Sequence, residues 1–81
     1  MKKVFIEWVD SKSGPSEWEY LEDIETLIPV SCQSIGFLLE DNEEYKTLAS
    51  TISESQVWGR ITIPSCTIKK FEILSMLLIS L

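Results

Sequence analysis

Trp58 and Arg60 stand two residues apart in Val57-Trp58-Gly59-Arg60-Ile61-Thr62-Ile63, a stretch that reads as a β-strand. Positions i and i+2 of a strand share a face. The indole and the guanidinium are therefore expected to project together, opposite Val57, Ile61 and Ile63. An aromatic face can stack on a nucleobase, worth ~1–3 kcal/mol per base, and a guanidinium holds phosphate through charge-assisted hydrogen bonds. The same pair would equally suit a subunit interface, where Trp and Arg are both enriched. Asp10-Ser11-Lys12-Ser13-Gly14 adds hydroxyls, backbone N–H groups and one cation. It lacks the spacing of a phosphate loop, and an ordinary turn is the plainer reading. Trp8 and Trp18 can serve as large core or rim fillers. The candidate ligand-binding set is Asp10, Ser11, Trp18, Trp58 and Arg60, placed at a cleft between subunits, with Lys69 and Lys70 as the next cations to consider.

Catalytic constellations are missing. The chain has no histidine, which removes the commonest general base and any Ser-His or Cys-His dyad. Cys32 and Cys66 form no CxxC pair, and a structural zinc site usually takes four Cys or His ligands. Two buried or half-buried thiols in a reducing compartment are expected, with a single disulfide as the alternative. Glu40, Asp41, Glu43 and Glu44 match no calcium-loop spacing and read as a solvated turn. The expectation is a protein that is not an enzyme and uses no cofactor and no metal.

The formal net charge of −6 disfavours binding a nucleic-acid polymer, which needs clustered Lys and Arg to release counterions. An apolar fraction of 44% argues for a folded chain rather than a disordered one, and 81 residues make one domain, residues 1–81, near the lower limit for a single core. The apolar run after Met1-Lys2-Lys3 is too short for a signal peptide. The apolar end, residues 71–81, is shorter than the ~20 residues needed to cross a bilayer. A soluble, cytoplasmic protein without a membrane segment is expected.

The elements that must position these residues are mostly strands. Residues 3–9 alternate β-branched and aromatic side chains and end in a turn signal. Ser16 and Glu19 have capping-box spacing. Trp18, Leu21, Ile24, Leu27 and Ile28 recur at helical spacing up to Pro29, so a short amphipathic α-helix is expected there, starting at Ser16 or, with Glu17 to Tyr20 extended, after Trp18. Ser34-Ile35-Gly36-Phe37-Leu38-Leu39-Glu40-Asp41-Asn42 reads as a buried strand entering a hairpin, spanning about residues 31–40, with Gly36 marking a bend or a close backbone approach. Residues 45–52 and 57–63 give two further strands, and residues 67–74 a closing strand or helical turn. The fold class is mainly β: a small, partly open antiparallel β-barrel of about five strands with one short inserted α-helix. Its expected core is Ile35, Phe37, Leu39, Leu48, Ile61, Ile63 and Ile68. Eight large apolar residues in 71–81 exceed what such a barrel can hide, which predicts a homo-oligomer with this tail in the interface.

Trp8-Val9-Asp10-Ser11, Trp18, Ser34-Ile35-Gly36-Phe37-Leu38 and Ile63-Pro64 followed by Ile68 carry a resemblance. In this order they resemble a set of small proteins encoded by bacteriophages and prophages. The likeness covers residues 4–74 and implies a phage setting and an Sm-like small barrel. Small phage proteins without catalytic residues are commonly inhibitors, adaptors or ligand traps, and some bind nucleotide second messengers of bacterial immunity. By analogy, the resemblance implies an anti-defence sponge for a cyclic or ADP-ribose-type nucleotide in the host cytoplasm. A phage inhibitor or adaptor that binds a host protein through its acidic surface is the alternative.

Overall fold

The structure, a computed structural model, describes residues 1–75. Five strands account for most of it: β1 (Lys3–Asp10), β2 (Val30–Asp41), β3 (Tyr45–Ile52), β4 (Val57–Pro64) and β5 (Ile68–Ile73). They form one antiparallel sheet in the order β4-β3-β2-β1-β5. The sheet is not closed, since β4 and β5 lie at opposite edges.

The strands at 45–52 and 57–64 fall where the sequence predicts them, because turn chemistry brackets each. The Asn42 side-chain carbonyl accepts from the backbone N–H groups of Glu44 and Tyr45, both at 2.9 Å, an Asx-type closure of the β2–β3 hairpin. Between β3 and β4, the Ser53 N–H donates to the Gln56 carbonyl at 2.8 Å. The segment at 67–74 resolves as a strand after a 3-10 turn, Ser65–Thr67.

The predicted α-helix does not form. Residues 11–29 are exposed at every position, and their only regular feature is a 3-10 turn, Leu21–Asp23. The flanking residues Tyr20 (φ −75°, ψ 133°) and Ile24 (φ −71°, ψ 142°) are extended, and no side chain caps the turn. An isolated helix of this length is marginal in water and depends on packing its apolar stripe. Here the stripe has nothing to pack on: Trp18, Leu21, Ile24, Leu27 and Ile28 are all exposed.

The core also differs from the expected set. Val4, Ile6, Leu48 and Ile63 form a fully buried cluster, with Trp8, Leu38, Ile68 and Phe71 packed against it. All five strands or their edges contribute to this one cluster only if the sheet curls around it. Leu48 and Ile63 were expected and Ile68 is half-buried, but Ile35 is 66% exposed and Ile61 is also exposed. Phe37 and Leu39 are only half-buried.

The face of β2 is therefore the reverse of the one predicted. Register places Val4 opposite Gly36, Ile6 opposite Ser34 and Leu38 opposite Leu48, so the even-numbered side chains face the concave core and Ile35 and Phe37 face outward. Gly36 is the reason. A Cβ at this position would lie 2.7 Å from the Ala49 carbonyl oxygen and 3.2 Å from the Leu48 Cβ. β3 crosses so close that the core side of β2 has no room for a side chain there. Of the bend or close backbone approach expected at Gly36, the close approach is present, and the residue faces the core rather than away from it. A register shift between Leu38 and Glu40 then ends the simple alternation.

Candidate functional site

Along β4, Leu48 pairs with Ile61, Lys46 with Ile63, Ala49 with Arg60 and Thr51 with Trp58. Leu48 and Ile63 are core residues, so Trp58 and Arg60 share the opposite, convex face, as the period-two pattern predicts. Trp58 is 77% exposed. It lines an open cleft of about 560 Å³ with Thr51, Ser53, Gln56 and Val57. Arg60 is exposed and makes no ion pair among the described residues. The indole and guanidinium thus stand on one strand face, both in contact with solvent.

Two residues that sequence reasoning did not single out hold this arrangement. Gly59, between Trp58 and Arg60, has φ +71°, and a Cβ there would fall 2.4 Å from the Ser50 Oγ. That hydroxyl donates to the Trp58 carbonyl at 3.0 Å. Ser50 therefore pins the backbone at the point where Gly59 lets it turn. A glycine inside a strand is the signal that could have found the pair.

The other predicted residues lie elsewhere. Asp10 ends β1 and pairs with Val30. Three strand spacings, roughly 14 Å, separate β1 from β4, and the alternation of β1 puts Asp10 on the side of Val4 and Ile6, not on the side of Trp58. The Asp10 carboxylate accepts from the Ser11 N–H at 2.8 Å, and residues 11–15 adopt no regular turn, contrary to the turn expected there. Trp18 is fully exposed in the 11–29 segment, not a core filler. Trp8 is half-buried against the core, its indole N–H donating to the Ser34 hydroxyl at 3.0 Å. The five predicted residues therefore do not converge within one chain; only Trp58 and Arg60 stand together.

Charge separates the Trp58 cleft from the other depressions. One concavity of about 390 Å³ includes Glu19, Asp23 and Glu25 in its lining; others carry Glu19 beside Trp18, and Glu43 and Glu44 beside Tyr45. Carboxylates in these positions repel a phosphate. The Trp58 cleft is lined by no acid and has Arg60 on the same strand face. Of the alternative cations, Lys70 lies 3.0 Å from the Glu72 carboxylate. The hydrogen bond that Lys70 donates to that carboxylate, and then the carboxylate's charge, hold the Lys70 ammonium above its ordinary pKa, so Lys70 is already paired.

Cys32 is half-buried, Cys66 is exposed, and both are free thiols. The Cys32 thiol donates to the Val30 carbonyl at 3.6 Å. Among the described residues no three His, Cys, Asp or Glu side chains are grouped to hold a metal ion, and Asp41 pairs with Lys46. No helix among the described residues is long and apolar enough to cross a membrane. Of the tail expected at an interface, Phe71 and Leu74 are half-buried and Ile73 is exposed; residues 76–81 lie outside the described part. No family model matches this sequence, and neither a curated protein nor a solved structure matches it.

Proposed function

We propose that this chain is a non-enzymatic, phage-encoded binding protein that sequesters a nucleotide immune signal, of the cyclic or ADP-ribose type, in the host bacterial cytoplasm. The observation that carries the reading is Trp58 beside Arg60 on the exposed face of β4, at a cleft free of acids. The indole supplies a stacking platform for a base, and the guanidinium, the only one in the chain, supplies the phosphate contact. Asp10, Ser11 and Trp18 enter such a site only from another copy, so the reading includes a homo-oligomer. The curled open sheet supports an Sm-like, partly open small barrel as the fold type.

Isothermal calorimetry against a panel of cyclic dinucleotides, cyclic oligonucleotides and ADP-ribose derivatives tests the proposal. Saturable heat with one class, and recovery of the ligand unchanged after denaturation, is the expected result. Turnover to a new product would replace a sponge by an enzyme.

A second reading has its own observation. Five acids, Glu17, Glu19, Glu22, Asp23 and Glu25, alternate with exposed apolar residues on the 11–29 segment. An inhibitor or adaptor that binds a basic host protein would use such a surface. Absence of heat with every nucleotide, together with stable co-purification of a host protein, favours that reading.

A further inference from the structure

We propose that residues 16–28 are an exchange arm whose acceptor is the open edge of β4 in a second copy of this chain. The inference specifies how copies join, and it stands whether or not a nucleotide binds; a seated arm would bring its acids toward Arg60 and so compete there with a phosphate.

The arm is apolar where a solvated loop would be polar. Trp18 is 101% and Leu21 87% exposed, with Ile24 and Ile28 also in water, although burial of apolar surface contributes about 25 cal/mol per Å². Its own sheet does not cover it. Both ends are pinned at the same place, because Asp10 and Val30 are paired, and β4 lies two strands beyond β2. The backbone at Tyr20 and Ile24 is extended, and Pro15 and Pro29, which cannot donate to a ladder, bound the segment. The backbone is thus already near a strand conformation.

The acceptor is the complementary deficit. β4 is eight residues long, and among the described residues nothing pairs with its outer side. An edge of that length bearing Val57, Trp58 and Ile61 in water is a template for strand addition. It has neither a proline before its last residue nor an acid to discourage pairing.

Charge complementarity points to a second copy as the occupant. The arm carries five acids, and no cation occurs between Lys12 and Lys46; the edge carries Arg60 and no acid. Every copy therefore displays one acidic donor and one acceptor whose only charge is positive. A donor and an acceptor on different patches give a head-to-tail contact, which closes as a ring or a reciprocal dimer.

Light scattering without nucleotide, on purified full-length protein and two variants, tests the exchange. Leu21→Lys with Ile24→Lys disables the arm, and Trp58→Glu with Ile61→Glu disables the edge; all four residues are exposed. Circular dichroism checks that each variant is folded, and Arg60→Glu replaces the edge variant if that one is not. The wild-type chain is expected at twice the protomer mass or more, and each variant alone at one protomer. An equal mixture of the two variants is expected to form a 1:1 dimer, because it unites one intact arm with one intact edge. A wild-type monomer overturns the proposal. So do variants that keep the wild-type mass, which would place the contact elsewhere, and so does a mixture of folded variants that stays monomeric. Since no nucleotide is present, these outcomes are independent of ligand binding.

Discussion

The Lys46 ammonium lies 5.0 Å from the centroid of the Phe71 ring, although β3 and β5 are separated in the sheet by β2 and β1. In a flat sheet that separation is roughly 14 Å. Only a sheet folded toward itself brings them together, and a cation over an aromatic face then adds a specific contact on the concave side. Lys46 also pairs with Asp41, so the charge is held between a carboxylate on β2 and a ring on β5.

Gly36 lies where β2 and β3 leave no room for a side chain. Gly36→Ala is expected to destabilise the fold by ~1–3 kcal/mol through overpacking, since the new methyl would meet the Ala49 carbonyl. Gly14→Ala, whose Cβ would sit 3.4 Å from the flexible Glu19 carboxylate, serves as control and should change stability little. Urea denaturation of both variants measures the difference.

The reversed face of β2 has a direct thermodynamic signature. Ile63→Ala, at a fully buried site, is expected to cost ~2–5 kcal/mol. Ile35→Ala, in water on the convex side, should stay within ~0.5 kcal/mol. Equal losses at the two positions would restore the inward orientation of Ile35.

Ser65 offers a stabilising change. Its hydroxyl oxygen is buried and has no hydrogen-bond partner among the described residues, a desolvation cost without return. Ser65→Ala should raise stability by about 1 kcal/mol, read as a higher denaturation midpoint at unchanged slope. A loss instead would reveal a partner for that hydroxyl.

If Arg60 holds a phosphate, Arg60→Ala should weaken nucleotide binding by ~1.5–3 kcal/mol, the worth of a hydrogen bond to a charged group, with thermal stability intact because the side chain is exposed. Calorimetry of the folded variant reads this. Unchanged affinity would move the phosphate contact to another cation.

Stability should be flat between about pH 6 and 8, because there is no histidine to change charge there. Lys70 does not alter this. Its pKa is raised in the folded state, so its contribution is fully present below the ordinary value of 10.5. It is lost only as pH climbs through the folded value. The ammonium is solvent-screened, which keeps the effect small. Thermal melts across the neutral range check the prediction.

The β-class, the three-strand meander and the common face of Trp58 and Arg60 were legible because each rests on local signals: turn residues and period-two alternation. The inward face of β2 was not. Alternation says which residues lie together but not which set meets the core, and residue size pointed to Ile35 and Phe37, whereas the close passage of β3 reserved the inner side for Gly36. The helix at residues 18–28 was misread for a related reason. Its apolar spacing is genuine, but a stripe makes a helix only where a surface receives it, and that depends on contacts a single segment does not encode. Among candidate site residues, adjacency in one strand was readable, whereas convergence of Asp10 and Ser11 with β4 needed the strand order.

β1 lies between β2 and β5, and Val4 faces Ile73 across the ladder. This placement orders events during synthesis and folding. The meander of β2, β3 and β4 joins through short turns and can zip up early, whereas β1 reaches β2 only by closing the long 11–29 loop, with its entropic cost. β5, which completes the cover of Val4 and Ile6, is made after every other strand. A nascent chain halted before residue 68 would hold its first strand with one flank open and its buried pair still wet. Cooperative stability should therefore arise late, in a single step, when the last strand docks beside the first.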